Sequence, residues 1–224
     1  MPLTYLTELR ESIKKLSEWE SSGKAFGFIE DEVSNENPNY LYEFFCSIKI
    51  LNDLRINHDI ELISGNRGYK FPQSPGEKVD WARFLIKDKN SKEILFQFCL
   101  GVEIMISSSP ETTFAADISL QLGSSPYQPN ESHVVLIMDA KYKKNKSSKI
   151  RIDEIREFAQ NVSDMLAPKI NQSMLLFNKY QNLNANCLFT NGEVIDKHKQ
   201  YCINHKMKQV GSFDCDGRNM YISG

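Results

Sequence analysis

Hydrophobic and polar positions divide the chain into helical and extended stretches. Residues 3–20 repeat apolar side chains at near-helical spacing, which predicts an amphipathic helix. Residues 40–57 are apolar around most of a helical circumference and predict a second helix that lies deep against a sheet. Between them we expect a turn at 21–27 and a polar stretch at 31–39, whose Asn-Pro-Asn ending signals a helix start.

The middle and the end of the chain read mainly as strands. Strands are predicted at 59–63, 80–87, 93–106, 113–122, 134–141, 173–177, 187–189, 209–213 and 219–222. Residues 80–87 and 93–106 should pair antiparallel, with a break at Gly101. Further helices are predicted at 150–166 and 193–207. These elements predict an α/β fold with a central mixed β-sheet flanked by helices. We expect residues 1–37 to form an N-terminal helical segment and residues 38–224 a single unit.

The predicted strand at 134–141 ends unusually. Five apolar residues, Val134 to Met138, predict a strand buried on both faces. Asp139 and Lys141 follow, and the two-residue period of a strand places them on the same face. Burying an acid and a lysine there is costly unless they have partners or a function. This strand end is the first candidate for a functional site.

Composition and cysteine usage narrow the class of protein. Of 224 residues, 41% are hydrophobic and 25% charged, which is typical of an ordinary globular protein rather than a disordered one. No apolar run approaches the ~20 residues of a membrane span, and the N-terminus lacks the apolar core of a signal peptide. The five scattered cysteines fit a reduced environment. We therefore expect a cytoplasmic protein with no membrane partner.

Charge is distributed unevenly along the chain. Residues 1–140 hold 13 Lys/Arg and 21 Asp/Glu, whereas residues 141–224 hold 14 and 8, so the sign of the net charge changes at the end of the predicted strand. A local basic surface can attract a polyanion although the whole chain has a net charge of −2. The alternative is a solvated lysine face without a ligand.

Three acids in the chain can supply oxygen ligands. Asp117 and Asp139 lie on two successive predicted strands, and neighbouring strands are ~4.8 Å apart, so their carboxylates could share one hard cation. Glu43, on the second helix, either points into the same site or is a solvated acid that stabilises the helix dipole. Lys141 could orient or deprotonate an attacking water. The alternative for Asp139 and Lys141 is a structural ion pair.

The order of these residues resembles a known family. A helix bearing Glu43, the segment ADISL at 116–120 and the segment IMDAKYK at 137–143 together resemble the PD-(D/E)XK nuclease superfamily. The resemblance implies a restriction-endonuclease-like fold over roughly residues 38–190. It matches Glu43 to the helix acid, Asp117 to the first strand acid, and Asp139 and Lys141 to the final pair. Ala116 stands where the motif has proline.

The resemblance implies a function as well. It implies a Mg²⁺- or Mn²⁺-dependent endonuclease that hydrolyses phosphodiester bonds, with Glu43, Asp117 and Asp139 as metal ligands and Lys141 assisting the nucleophile. The expected substrate is DNA rather than RNA, in restriction or phage defence. The expected assembly is a homodimer or a subunit of a larger defence complex. The alternative is a catalytically inactive nuclease-fold module that binds nucleic acid or a partner protein.

Secondary candidates lie downstream of this motif. The expected nucleic-acid-binding residues are Lys143, Lys144, Lys146, Lys149 and Gln160. The lysines would contact phosphates and make binding salt-sensitive, whereas Gln160 could instead belong to a solvated helix face. A second set, His198, Cys202 and His205, shares one face of the last predicted helix. It is either a zinc site or a packing surface.

Overall fold

The described part of the chain contains ten strands and five α-helices, with three helices first and seven strands after them. The computed structural model describes residues 3–18, 25–73, 79–107, 109–165, 175–215 and 220–222. The helices are α1 (Leu3–Leu16), α2 (Ala25–Val33), α3 (Pro38–Leu54), α4 (Ile152–Asp164) and α5 (Lys199–Asn204). The strands are β1 (His58–Ile63), β2 (Arg83–Asp88), β3 (Ile94–Leu100), β4 (Glu103–Ile106), β5 (Ser109–Ala115), β6 (Ile118–Leu122), β7 (Val134–Lys141), β8 (Asn186–Thr190), β9 (Met207–Gly211) and β10 (Met220–Ile222).

The chain forms two compact units, each built from separated segments. The first unit comprises Met1–Asn52, Asp139–Ala159 and Cys187–Gly224. The second unit comprises Asp53–Met138 and Gln160–Asn186. Strand β7 runs from the second unit into the first, with Met138 in one and Asp139 in the other.

The second unit contains an antiparallel run of strands in the order β1-β2-β3-β6-β7. Ile118 at the start of β6 pairs with Met138 in β7. Val134 to Met138 are fully buried, which explains their uninterrupted apolar sequence: each face of the strand must be covered.

A sharp corner separates this sheet from a small second one. Gly101 has a positive φ of 58°, which glycine adopts without steric cost. Its N–H donates to the carbonyl of Asp117 at 3.0 Å. Both chain segments therefore leave the main sheet at the same level, and β4 and β5 pair with each other in a separate two-stranded sheet.

The first unit contains the end of β7 followed by β8, β9 and β10 in that order. β9 and β10 are antiparallel, whereas Lys149 and Glu193, which follow β7 and β8, form a parallel bridge. Helix α3 supplies much of the core, because most of its circumference is apolar. Its largest fully buried side chains include Leu41, Tyr42, Phe44 and Phe45.

The α/β class with a mixed central sheet and flanking helices is confirmed. The break at Gly101 and the antiparallel pairing of β2 with β3 are confirmed as well. The restriction-endonuclease-like topology stays a prediction, and so does the division at residue 37. None of the described helices combines the length and apolar character needed to cross a bilayer.

Four predicted elements differ in the structure. Helix α2 occupies part of the predicted turn and polar stretch, because Ile29 and Val33, one helical turn apart, are both buried. The predicted strand 113–122 is divided into β5 and β6 by the corner at Asp117. The helix predicted at 193–207 is shortened to residues 199–204: one 3₁₀ turn precedes it, and Lys206, at φ 54°, lies just beyond its C-terminal end.

The fourth difference is the predicted strand at 173–177. Residues 175–177 are not a strand, and residues 173 and 174 lie outside the described residues. Side chains take the place of a strand neighbour there. The Leu176 N–H donates to Nε2 of His58 at 3.1 Å, and Asn57 donates to the Leu176 carbonyl at 2.8 Å. Asp53 accepts hydrogen bonds from three successive N–H groups, those of residues 178–180.

Candidate active site

Glu43 projects from the first half of α3. Pro38 begins the helix, where its missing N–H costs no hydrogen bond, and the side chain of Asn37 accepts the N–H of Asn39 at 3.0 Å. Ser47 and Ile50, which share the helical stripe of Glu43, are fully buried. Glu43 itself is only half-buried. Its stripe is therefore not an open solvent face.

Asp139 and Lys141 lie on one face of β7 at its C-terminal end, while Ala140 between them is buried on the other face. The Lys141 ammonium contacts Oδ2 of Asp139 at 2.5 Å. The two side chains are 14% exposed for Asp139 and 29% for Lys141. This ion pair is therefore shielded from solvent but still reachable by a ligand.

The electrostatics of Glu43 connect it to this pair. The pKa of Glu43 is raised to about 7: burial raises it most, the negative charge of Asp139 also raises it, and the positive charge of Lys141 opposes both. Two carboxylates and one ammonium thus lie within electrostatic range of one another in a shielded place. With its pKa near 7, Glu43 carries only part of a negative charge at neutral pH, and it adds to the Asp139–Lys141 pair a titratable acid that a simple ion pair does not have.

Strand β8 fixes the backbone that follows Asp139. The Thr190 hydroxyl donates to the Lys141 carbonyl at 2.8 Å. The buried Asn191 side chain accepts the Lys143 N–H at 2.6 Å and donates to the Lys143 carbonyl at 2.9 Å. The Asn191 side chain therefore makes the two backbone hydrogen bonds with residue 143 that a neighbouring strand would otherwise make. These supporting residues were missed by the sequence reasoning, although a Thr-Asn-Gly ending on a buried strand was visible.

Asp117 belongs to the second unit. It lies at the corner between β5 and β6 and is half-buried. The following residue, Ile118, pairs with Met138, the residue before Asp139. The expected sharing of one cation by Asp117 and Asp139 stays a prediction.

Most of the lysines expected to bind phosphate have acidic partners. Lys143 contacts both carboxylate oxygens of Glu154, at 2.7 and 2.8 Å. Lys146 pairs with Asp214, and Lys149 lies 3.8 Å from Glu193. Lys144 is exposed and belongs to none of the ion pairs found among the described residues. Lys144 is therefore the lysine of this group best placed to meet a phosphate.

The remaining candidates have local contacts. Gln160 is exposed and donates to Asp164 at 2.9 Å along α4. Cys202 is buried and accepts a hydrogen bond from Gln209 at 3.3 Å, while the His205 ring lies 4.3 Å from that of Tyr201. These local contacts agree with the interpretation of His198, Cys202 and His205 as a packing surface.

The Glu43 site offers the carboxylates of Glu43 and Asp139 as possible ligands for a metal ion. In the part of the chain that the structure describes, no group of three or more His, Cys, Asp or Glu side chains is arranged to hold a metal. Mg²⁺ commonly takes only one or two protein carboxylates and completes its shell with water and substrate phosphate. The carboxylates of Glu43 and Asp139 fit that chemistry, with Lys141 beside them.

Comparisons with known proteins add no relative. No protein-family model, curated protein or solved structure matches the chain. The functional interpretation therefore depends on the geometry of the first unit and on the sequence motif.

Proposed function

We propose that the chain is a divalent-metal-dependent endonuclease that hydrolyses phosphodiester bonds of DNA in a restriction or phage-defence system. The observation that supports it best is a second acid, Glu43 of α3, near the ion pair at the end of β7. Glu43 is held near Asp139 and Lys141, and its pKa is raised to about 7 by burial and by the charge of Asp139. A carboxyl whose pKa is strongly raised by burial together with a specific charged neighbour is a candidate for a functional site.

The side chains have separable roles in this proposal. The carboxylates of Glu43 and Asp139 would hold Mg²⁺ or Mn²⁺, with Asp117 as the further ligand expected from the motif. When bound, the ion supplies Lewis acidity and makes a water more acidic. Lys141 orients the attacking water through its ammonium and offsets the negative charge that develops on the phosphate oxygens. Its contact with Asp139 keeps that ammonium on the same face of β7 as the acids.

The substrate preference and the assembly follow from the same proposal. DNA is the proposed substrate, and a homodimer would place two such sites on the two strands of a duplex. The exposed Lys144 is the proposed phosphate contact near the end of β7. Membership of a larger defence complex is the other proposed assembly.

A plasmid cleavage assay tests the proposal directly. Supercoiled DNA, linear DNA and RNA are incubated with the purified chain and Mg²⁺, Mn²⁺ or EDTA. Cleavage is expected only with metal, and Asp139→Asn and Lys141→Ala should both abolish it. The matched control is the surface pair of Glu61 on β1 and Lys87 on β2. Glu61→Gln and Lys87→Ala make the corresponding acid-to-amide and lysine-to-alanine changes in an ion pair between strands and should leave cleavage intact.

Two results would contradict the proposal. Undiminished cleavage by both Asp139→Asn and Lys141→Ala would assign the activity to another site or to a contaminant. Binding of nucleic acid without cleavage under every metal condition would favour the alternative, a non-cleaving module with the same fold. Size-exclusion chromatography with light scattering then distinguishes a homodimer from a monomer awaiting a partner.

A further inference from the structure

Tyr142, the residue after Lys141, lies between two other tyrosine rings. Its ring centroid is 5.9 Å from that of Tyr5, with the planes 20° apart, and 6.1 Å from that of Tyr42. Tyr42 directly precedes Glu43 in α3. The ring contact between Tyr42 and Tyr142 therefore joins the neighbour of Glu43 to the neighbour of Lys141.

The buried carboxylate of Asp214 connects Tyr5 with the loop that follows β7. The Tyr5 hydroxyl donates to Oδ1 of Asp214 at 2.9 Å, and Lys146 forms an ion pair with the same carboxylate. The Lys146 ammonium also lies 4.9 Å from the centre of the Tyr5 ring. Helix α1 and the loop that follows β7 are thus attached to one acid, whose own side chain is buried.

The segment that carries Asp214 is in turn attached to α3. Tyr42 donates through its hydroxyl to the Phe213 carbonyl at 2.9 Å, and Lys49 donates to the Asp214 carbonyl at 2.6 Å. The Lys49 ammonium lies 4.2 Å from the centre of the Phe213 ring. A closed set of contacts therefore runs from α3 through Asp214 and Tyr5 to Tyr142 and back to α3.

We propose that Tyr5, Tyr42, Tyr142 and Asp214, here called the tyrosine clamp, are positioning residues that hold the end of β7 against α3 and so fix Glu43 relative to Asp139 and Lys141. This inference rests on the proposed nuclease function. No member of the clamp has to touch the reacting atoms. A displacement of about 1 Å at a catalytic group can lower a rate about 100-fold, so a clamp next to two site residues has a direct kinetic effect.

The test compares Tyr142→Ala with Tyr142→Phe, which keeps the ring. Tyr201→Ala is the matched control, because Tyr201 is also a half-buried tyrosine of the first unit in ring contact with a neighbour. Two quantities are measured: kcat and KM for metal-dependent cleavage, and hydrogen exchange of the amides at 139–146. Tyr142→Ala should lower kcat about 30-fold with KM changed less than about twofold, and should speed exchange at 139–146.

The conservative variants separate positioning from general destabilisation. Tyr142→Phe should keep the wild-type kcat and the slow exchange at 139–146, because the ring contacts with Tyr5 and Tyr42 remain. Tyr5→Phe keeps the ring, removes the hydroxyl contacts with Asp214 and Asn191, and should speed exchange at 139–146 less than Tyr142→Ala does. Tyr201→Ala should leave kcat and exchange at 139–146 as in the wild type even if it lowers the melting temperature.

Two outcomes would overturn the clamp. One is wild-type exchange at 139–146 in Tyr142→Ala. The other is faster exchange there with a kcat no lower than that of Tyr201→Ala. Failure of the nuclease proposal looks different, since the wild type itself would not cleave; the exchange data alone would then decide whether these tyrosines hold the end of β7.

Discussion

Two lysine–acid pairs lie next to each other on the chain, and their surroundings differ. Lys143 contacts both oxygens of Glu154, and each side chain is 13% exposed. Glu154 also accepts the Arg151 N–H at 2.7 Å at the start of α4, so its oxygens are well satisfied. Lys141 contacts one oxygen of Asp139, and there a second acid, Glu43, with a pKa raised to about 7, lies within electrostatic range.

The difference separates a structural pair from a candidate site. The Lys143–Glu154 pair has one positive and one negative charge, and its carboxylate oxygens are hydrogen-bonded. It fixes α4 relative to the backbone after β7 and needs no further partner. In the cluster of two acids and one lysine, the repulsion between the acids is relieved by a proton on Glu43 or by another positive charge. A divalent cation is such a charge. We therefore expect Lys141 and Lys143, two positions apart in sequence, to differ in chemical role, because an additional carboxylate, Glu43, lies near the Lys141 pair.

The largest expected difference between the two pairs is in activity. Lys141→Met should lower kcat at least about 100-fold, because it removes the group that orients water and offsets charge on the phosphate. Lys143→Met removes a lysine of the same length two residues away and should change kcat less than about threefold, because its ammonium is held by Glu154. Single-turnover cleavage with Mg²⁺ measures both variants. Equal losses in the two would show that the pairs do not differ in function.

The second expected difference is in stability, and its direction is reversed. Glu154→Gln leaves the Lys143 ammonium shielded without its partner and should lower the free energy of unfolding by about 3 kcal/mol. Asp139→Asn should change it by less than about 1 kcal/mol, because the variant loses a pair but also loses repulsion between two acids. Urea unfolding gives both values. Glu193→Gln, in the exposed pair with Lys149, is the control and should cost less than about 1 kcal/mol.

A large loss of stability in Asp139→Asn would break the comparison. It would mean that Asp139 and Lys141 stabilise the fold as Lys143 and Glu154 do. The alternative of a purely structural ion pair would then be preferred.

Much of the fold was predictable where a local pattern is decisive. The run from Val134 to Met138 had to be a strand covered on both faces, and it is fully buried. The division of the predicted strand 113–122 was not predictable, because it depends on the hydrogen bond from Gly101 to Asp117, two residues on different strands. Residues 175–177 had strand-like composition, but side chains at positions 57 and 58 bind their backbone instead. Contacts between distant segments decided both cases.

The candidate site shows the same division. The two-residue period of a strand was enough to place Asp139 and Lys141 on one face. The electrostatic contact of Glu43 with them depends on how α3 packs, which the sequence only suggested through the order of the motif. The hydrogen bond between Tyr5 and Asp214 joins residues 209 positions apart and left no local signal.

Glu43, the second acid, should make the free energy of unfolding depend on pH. The pKa of Glu43 is raised from its usual value of 4.5 to about 7. The native state therefore binds more protons than the unfolded state between these values, and the wild type loses stability as pH rises from 4.5 to 7. Glu43→Gln removes this loss. The stability of Glu43→Gln relative to the wild type should therefore rise by about 2 kcal/mol across the interval and stay constant below it.

Denaturant unfolding at a series of pH values measures this difference. In an Asp139→Asn background the rise should be smaller, because the charge of Asp139 is the second cause of the raised pKa. Gln200→Glu would add an exposed acid elsewhere and serves as a control for a general charge effect. A pH-independent difference between Glu43→Gln and the wild type would show that Glu43 is an ordinary solvated acid.

The smallest expected effect concerns the lysines as phosphate contacts. Lys144 is exposed, whereas Lys143 is held by Glu154, so only the first should release a counterion from DNA. Lys144→Ala should reduce the slope of log K against log salt by about 0.9, and Lys143→Met should leave it unchanged. Fluorescence anisotropy with a labelled duplex in EDTA measures binding without cleavage. If Lys143→Met alone changed the slope, the pair with Glu154 would have to open on DNA, and the loop after β7 would bind phosphate by rearranging that pair.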